Sequence, residues 1–144
     1  MSTEEVAVSS KPSPYPTPET SYYWEGTAAG ELRIQRCNSC HNSYFYARPS
    51  CPHCGSLDVT WTVASGRARL HTYLISYRAA PGFEGDVPYA IAVVELEEGP
   101  RMMTNIVGIE NTPENLVLDM PLEVVFQQRA KQHVPVFQPA GGAK

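Results

Sequence analysis

Two pairs of cysteines constrain this chain more than any other feature of its sequence. Cys37 and Cys40 form one Cys-x-x-Cys unit, and Cys51 and Cys54 form a second one after ten intervening residues. Two residues between ligands let both sulfurs of a tight turn face one ion, and two such turns complete a tetrahedral site. We therefore predict a zinc ribbon over residues 31–62, with Zn²⁺ bound by all four thiolates.

Four thiolate ligands would give the ion a structural role, because no coordination position remains for a reacting water. Iron in an electron-transfer site is an alternative, since CPHCG at residues 51–55 is also typical of rubredoxin-like sites. Visible absorbance separates the two metals, because Zn²⁺ is d¹⁰ and colourless. Free thiols and a redox dithiol are further alternatives, although a redox dithiol needs only one such pair. His41 and His53 adjoin the cysteines and are interpreted as bystanders.

Outside the cysteine region the sequence predicts a mainly β protein with one helical segment. Prolines alternate with other residues from Pro12 to Pro18, a spacing that favours extended chain and removes backbone donors. Short runs of period-two alternation with turn residues between them indicate a small barrel after Cys54. We predict a disordered Pro-rich leader at 1–17, an N-terminal helix or helical hairpin at 18–30, the rubredoxin-like zinc ribbon at 31–62, a five-stranded OB-fold barrel at 63–137 and a disordered tail at 138–144.

Charge and hydropathy weigh against some classes of function. Lys and Arg total 11 against 15 Asp and Glu, so the formal net charge is −4. A net-negative chain is a poor match for nucleic acid, whose phosphates are bound by Lys and Arg. The longest apolar run covers only residues 89–94, too short to span a membrane. Because no basic start is followed by an apolar stretch, we expect no secretory signal, a cytoplasmic location and reduced cysteines.

The barrel region contains one basic and aromatic stretch but no recognisable catalytic set. It has no nucleophile elbow, no glycine-rich phosphate loop and no close carboxylate pair except Glu97 and Glu98 in a predicted turn. Arginine and aromatic residues interleaved on a barrel face are typical of sites for single-stranded nucleic acid or for a nucleotide with phosphates. A solvated strand face is the alternative. The stretch comprises Arg67, Arg69, Tyr73, Tyr77, Arg78 and Phe83.

Several motifs follow one another in a characteristic order. They are YWEG at 23–26, LRIQRCNSC at 32–40, RPSCPHCGS at 48–56, SGR at 65–67, VELEEGPR at 94–101 and LVLDMPLEVVF at 116–126. Together they resemble the zinc-ribbon/OB-fold family of small acyl-CoA-associated proteins, long known as a domain of unknown function. The N-terminal motifs are particularly similar to family members that accompany lipid-transfer-protein-like aldolases, which cleave steroid side-chain CoA thioesters.

The resemblance implies a non-catalytic partner of thiolase-superfamily enzymes. It implies that the four cysteines are ribbon ligands and that the strand and loop after Gly66 form the region where an acyl-CoA lies. We accordingly assign acyl-CoA binding to the basic and aromatic stretch. Three residues stand where the family usually has glycine: His41, Ala68 and Asp119. Of these, Ala68 would narrow the approach of a ligand to the backbone, whereas Asp tolerates a left-handed conformation.

We expect an accessory subunit that forms a hetero-oligomer with a thiolase, an acyltransferase or a lipid-transfer-protein-like aldolase. The subunit would help to hold or channel the acyl-CoA, which is a ligand and not a cofactor of this chain. Excess aromatic surface at Tyr22, Tyr23 and Trp24 predicts the docking site. The alternative is a single-stranded nucleic-acid-binding OB/zinc-ribbon protein, which the acidic charge opposes. A third hypothesis, an electron carrier, requires a coloured protein.

Overall fold

The computed structural model describes residues 11–141, so the predictions for residues 1–10 and 142–144 lie outside the described residues. Within that range the chain forms one short helix and two antiparallel sheets. The elements are α1 (Ser21–Ala28), β1 (Arg33–Cys37), β2 (Ser43–Tyr44), β3 (Val59–Val63), β4 (Arg67–Ser76), β5 (Tyr89–Leu96), β6 (Arg101–Thr104), β7 (Pro121–Arg129) and β8 (Gln132–Pro139).

The first sheet has three strands in the order β2-β1-β3, and it carries the cysteines. Its central strand β1 pairs with β2 through Gln35 opposite Tyr44 and with β3 through Cys37 opposite Val59. The first cysteine pair therefore follows directly from the central strand. The second pair lies in the connection that leads back to the sheet as β3.

The second sheet has five strands in the order β6-β5-β4-β7-β8 and curls into a barrel. The sheet closes on itself where Ile106, just after β6, makes a parallel bridge to Phe137 of β8. The prediction of a mainly β chain with a zinc ribbon and a five-stranded OB-fold barrel is confirmed. The helical segment consists of one helix, α1, and within residues 11–141 no helix is long and apolar enough to cross a membrane.

Period-two alternation is the physical reason why these segments form strands around one core. Along β5 the buried positions are Ala90, Ala92, Val94 and Leu96, and each intervening side chain is only partly buried. The side chains that point inward belong to a single apolar cluster, which also includes residues of α1 and β1. Its other members include Tyr23, Leu32, Ile34, Leu70, Met102, Leu122 and Phe137.

Residues 11–17 run along the barrel, although the sequence predicts a disordered leader over 1–17. The Ser13 hydroxyl donates a hydrogen bond to the carbonyl of Arg129 at 3.1 Å. The Lys11 ammonium forms an ion pair with Asp86 at 2.7 Å. This part of the leader therefore contacts both the end of β7 and the long loop between β4 and β5.

Two of the three residues that stand where the family usually has glycine adopt left-handed backbone conformations. His41 has φ 68° and Asp119 has φ 70°, which is the region where glycine is favoured and Asp is tolerated. Ala68 behaves differently from the expectation for it. Its side chain is buried in the barrel core, so it alters internal packing and does not narrow a ligand's approach from outside.

Gly66 immediately precedes β4, at a position that requires glycine. Its φ is +86°, and a Cβ there would lie 2.8 Å from Cγ1 of Val124. Replacing Gly66 with alanine is expected to lower the free energy of unfolding by about 2 kcal/mol, because it adds backbone strain and a clash. Urea denaturation measures this loss. Gly85→Ala is the matched control, since a Cβ at Gly85 has open space around it; equal stabilities of the two variants would contradict the prediction.

Candidate metal centre and ligand surfaces

The four cysteine sulfurs converge on one point. All four Sγ atoms lie within 4.8 Å of one another. The Sγ atoms of Cys37 and Cys54 are 3.6 Å apart, and those of Cys40 and Cys51 are also 3.6 Å apart. Tetrahedral ligation with Zn–S bonds of about 2.3 Å requires sulfur–sulfur distances of about 3.8 Å. The sulfur positions therefore fit a tetrahedral zinc ion.

The two cysteine turns share the same local structure. In the first, the His41 N–H donates to the Cys37 carbonyl at 2.9 Å, and in the second the Gly55 N–H donates to the Cys51 carbonyl at 2.8 Å. Both residues that donate these hydrogen bonds have a positive φ angle, 68° for His41 and 82° for Gly55. A left-handed residue after each pair reverses the chain, which lets both sulfurs of the pair face the same ion.

Backbone N–H groups around the sulfurs favour the thiolate form. Ser39 and Cys40 donate their N–H groups to the Cys37 sulfur at 3.3 and 3.4 Å, and His53 donates its N–H to the Cys51 sulfur at 3.3 Å. The Cys40 N–H is the largest influence, and together with Ser39 it lowers the pKa of the Cys37 thiol to about 6 despite burial. The thiolate is the ligand form, so these donors prepare the Cys37 sulfur for a cation. The Ser56 N–H lowers the pKa of Cys54, but hydrogen bonds with the other cysteine sulfurs outweigh it and raise that pKa to about 12.

A closed set of four sulfurs suits a structural zinc ion. Within residues 11–141 the group that could hold a metal comprises these four cysteines and no histidine, and the side chains of both His41 and His53 are exposed. Cys37 and Cys51 are buried, Cys40 is partly buried and Cys54 is exposed. The ion would tie together two loops that otherwise share little apolar contact.

The three aromatic residues predicted as a docking site occupy different environments. Tyr23 is 1% exposed, and its ring packs against Trp24, Phe45 and Tyr46 at centroid distances of 4.7, 5.5 and 5.3 Å. Burial raises the pKa of the Tyr23 phenol above its ordinary value. Its ring is therefore a core element that joins α1 to the ribbon, and in this structure it has no surface available to a partner.

Tyr22 and Trp24 retain surface. The Tyr22 ring is 44% exposed, lies 5.0 Å from the Trp61 ring and has the Arg33 guanidinium 4.1 Å from its centroid. Trp24 is partly buried, and its indole N–H donates to the Tyr46 hydroxyl at 2.8 Å. These contacts hold both side chains in fixed orientations at the surface of α1.

Two arginines of the predicted acyl-CoA stretch already have carboxylate partners. Arg67 pairs with Glu97 at 2.8 Å, and Arg69 pairs with Glu95 at 3.0 Å. Arg69 also lies 3.7 Å from a carboxylate oxygen of Asp119. The Arg67 hydrogen bond lowers the pKa of Glu97. Because each arginine faces a negative charge, this end of β4 is less suited to the phosphates of nucleic acid than the sequence alone indicated.

The other four residues of that stretch lie toward the opposite end of β4. Ten residues of strand separate Arg67 from Tyr77, a distance of about 33 Å at the usual rise per residue. Tyr77 and Arg78 are exposed just after β4, and Phe83 on the following loop packs against Tyr89 at 5.1 Å. The six predicted residues are thus not brought together in one site.

The structure adds two cations that the sequence analysis did not select. Both cations lie near the Phe83 ring, the Lys11 ammonium 5.0 Å and the Arg129 guanidinium 5.6 Å from its centroid. Lys11 belongs to the segment predicted as disordered, and Arg129 ends β7. No short motif links these positions, so only the folded chain brings them together.

Family comparisons agree with this architecture. Residues 24–60 match the family model described as the ChsH2 rubredoxin-like zinc ribbon domain, and residues 61–127 match the ChsH2 C-terminal OB-fold domain. The chain belongs to the ChsH2 family of zinc-ribbon/OB-fold proteins. The two models meet without a gap and together cover residues 24–127, which include every strand of both sheets except β8 and the end of β7.

Two curated relatives of this ChsH2-family chain have different names. A probable enoyl-CoA hydratase alpha subunit from Thermomonospora curvata is 34% identical over 96% of this chain, which spans only 43% of that protein. A DUF35 domain-containing scaffold protein from Methanocaldococcus jannaschii is 36% identical over 65% of this chain and 65% of its own length. The chain therefore spans less than two thirds of either relative.

A solved structure matches the ChsH2-family chain along nearly its whole length. A chain of the Ltp2-ChsH2(DUF35) aldolase superposes with a TM-score of 0.75 and is 32% identical. The match covers 89% of this chain and 99% of the other.

Proposed function

We propose that this chain is an accessory subunit that docks a thiolase-fold enzyme and helps to hold or channel that enzyme's acyl-CoA substrate. The match to a chain of an aldolase over 99% of that chain's length carries the proposal. The names of the relatives, an enzyme alpha subunit and a scaffold protein, support the same role. The motifs of the sequence that resemble partners of steroid side-chain aldolases make a steroid acyl-CoA the first substrate to test.

In this proposal α1 and the ribbon provide the docking surface. Tyr22 and Trp24 expose aromatic area whose orientation is already fixed by Arg33, Trp61 and Tyr46. Aromatic side chains held in place lose little entropy on binding, and such residues are enriched among those that contribute most to protein interfaces. Tyr23 supports this surface from below, as the core residue on which the neighbouring rings pack.

The proposed acyl-CoA contact uses the loop end of β4, where Tyr77, Arg78 and Phe83 lie. Tyr77 is 71% exposed, so its ring is free to stack on a ligand. At the other end Arg67 and Arg69 would bind phosphates only by exchanging their Glu97 and Glu95 partners. We therefore propose that acyl-CoA contacts the loop end of β4 rather than the paired arginines.

Co-expression with the thiolase-like protein encoded beside this chain tests the proposal. We expect the two proteins to co-purify as a hetero-oligomer and the acyl-CoA turnover of the partner to depend on this chain. Light scattering gives the mass of the complex, and thioester consumption gives the activity. A partner whose mass and activity do not change on addition of this chain would contradict the proposal, as would turnover by this chain alone.

Single substitutions test the docking surface within that complex. Tyr22→Ala and Trp24→Ala are each expected to weaken partner binding about 30-fold, the loss of roughly 2 kcal/mol typical of a dominant interface residue. Leu118→Ala is the matched control, because Leu118 is an exposed apolar residue of the barrel, outside both α1 and the ribbon. Calorimetry or biolayer interferometry measures the affinities, and wild-type affinity in both α1 variants would refute the assignment.

A further inference from the structure

Two adjoining cavities open at the loop end of the barrel, and they meet at one cation. The first has a volume of about 220 Å³ and a wall that is partly polar and partly apolar, with Lys11, Asp86 and Gln127 among its polar residues. The second has a volume of about 340 Å³ and a mainly apolar wall. Both are lined by Arg129, and also by Phe83, Tyr89 and Asn105.

Arg129 differs from the paired arginines of β4. Its Nε donates to the Gln127 side-chain oxygen at 3.0 Å, and within residues 11–141 no carboxylate lies within ion-pair distance of it. Burial lowers the pKa of Arg129 and outweighs the opposing influence of Asp86. Asp86 is itself paired with Lys11 at 2.7 Å. Among residues 11–141, the charged residues that line the two cavities are therefore two cations, Lys11 and Arg129, and one carboxylate, Asp86.

The apolar cavity follows the seam of the barrel between β6 and β8. Ile106 forms a bridge to Phe137, where the Phe137 N–H donates to the Asn105 carbonyl and the Phe137 carbonyl accepts from the Val107 N–H. The Thr104 hydroxyl also joins the two strands, since it donates to the Pro135 carbonyl at 3.1 Å. Side chains of β6 and β8 form the walls of this cavity, which is an open groove between the two strands. Apolar wall residues include Ile91, Met103, Val134 and Pro135, and Met103 is 70% exposed.

We propose that this groove binds an anionic amphiphile, with its apolar body between β6 and β8 and its carboxylate or phosphate head against Arg129. A guanidinium presents planar, paired N–H donors that suit both head groups. A partly buried cation without a carboxylate partner gains from an anion more than an exposed one, because less water screens the pair. The 340 Å³ cavity is at the lower end of the size range of ligand pockets, which indicates a small ligand. The site does not require the proposed docking of an enzyme.

Titration of the full-length purified chain, without any partner, tests this site. The probes are decanoate, decyl phosphate and decanol, each below its aggregation concentration and followed by calorimetry. We expect saturable binding of at least one anionic probe and at least tenfold weaker binding of decanol, since a charge-assisted hydrogen bond contributes about 1.5 kcal/mol or more. The preferred anionic probe then distinguishes a carboxylate ligand from a phosphate ligand.

Two variants identify the residues. Arg129→Gln is expected to weaken binding of the preferred anion about tenfold and to leave decanol binding unchanged. Arg101→Gln is the matched control, because Arg101 is an exposed arginine at the start of β6 that lines neither cavity. Urea denaturation checks that both variants fold.

Four results would overturn the proposal: no saturable binding of either anion, equal binding of decanol and the preferred anion, equal affinities in the two variants, or a homodimer whose formation prevents the anionic probes from binding. The last result would assign the groove to a second copy of the chain. Because the titration contains no enzyme partner, none of these results bears on the proposed docking. Phe83 lines both cavities and also belongs to the proposed acyl-CoA contact, so a negative result would count against Phe83 in that contact but not against Tyr77 and Arg78, which line neither cavity.

Discussion

Replacing Cys40 with serine is expected to abolish stoichiometric zinc binding and to unfold the ribbon. The four sulfurs lie at tetrahedral distances, and removal of one leaves three ligands and two loops with little apolar contact of their own. Structural zinc contributes apparent binding energies of about 10–16 kcal/mol in small zinc peptides, so the loss is large compared with the stability of a domain. Elemental analysis should give about one zinc per wild-type chain and almost none in the variant.

Loss of the metal should also destabilise the barrel. Leu32, just before the ribbon strand β1, and Ile34 on that strand are buried in the same apolar cluster as Leu70 and Leu122 of the barrel. We therefore expect chelation of the metal to lower the unfolding midpoint of the whole chain in one transition. His53→Ala is the control, since only the backbone N–H of His53 reaches a cysteine sulfur.

Two results would contradict this account of the metal centre. Unchanged zinc content and stability in Cys40→Ser would remove the structural role of the ion. A coloured protein that contains iron would instead favour the electron-carrier hypothesis, because zinc has no visible absorbance.

Replacing Tyr23 with alanine is expected to lower the free energy of unfolding by about 3–5 kcal/mol, the range for truncation of a large buried aromatic residue. Tyr23 is 1% exposed and lies within 5.5 Å, centroid to centroid, of three other aromatic rings. Its removal leaves a cavity between α1 and the ribbon that neighbouring rings fill only in part. Urea denaturation, analysed with the same m value for both proteins, measures the loss of free energy of unfolding.

Tyr22→Ala provides the comparison within the same helix turn. Tyr22 is 44% exposed, so its removal should cost about 1 kcal/mol or less while it weakens partner binding. Tyr23→Phe keeps the ring and should remain close to wild type in stability. Equal stabilities of Tyr23→Ala and Tyr22→Ala would show that the two rings do not have the separate core and surface roles proposed here.

Local patterns were enough to predict the metal site and most of the strands. The Cys-x-x-Cys spacing brings each sulfur pair together through a turn of a few residues, so its geometry depends little on the rest of the chain. Along β5 the alternation of small apolar and partly exposed residues identifies both the strand and its inward face. In both cases the partners that matter are close in sequence.

Local sequence patterns could not predict the ion pairs between neighbouring strands. Arg69 lies opposite Glu95 because β4 and β5 pair in one register, and Arg67 reaches Glu97 in the same way. The sequence alone showed a basic stretch where the folded chain has neutralised pairs. The adjacent residues Tyr22 and Tyr23 also looked alike in sequence, yet one ring is half-exposed and the other is buried.

Local sequence patterns thus predicted the four zinc ligands, the inward and outward alternation of the barrel strands and the family resemblance. All three depend on spacings of two to a few residues. Strand register and the path of residues 11–17 specified which charges are paired and how Lys11, Phe83 and Arg129 come together. Arg129 is 118 positions from Lys11, and a charge acquires its neighbours through packing, so no local spacing carries that information.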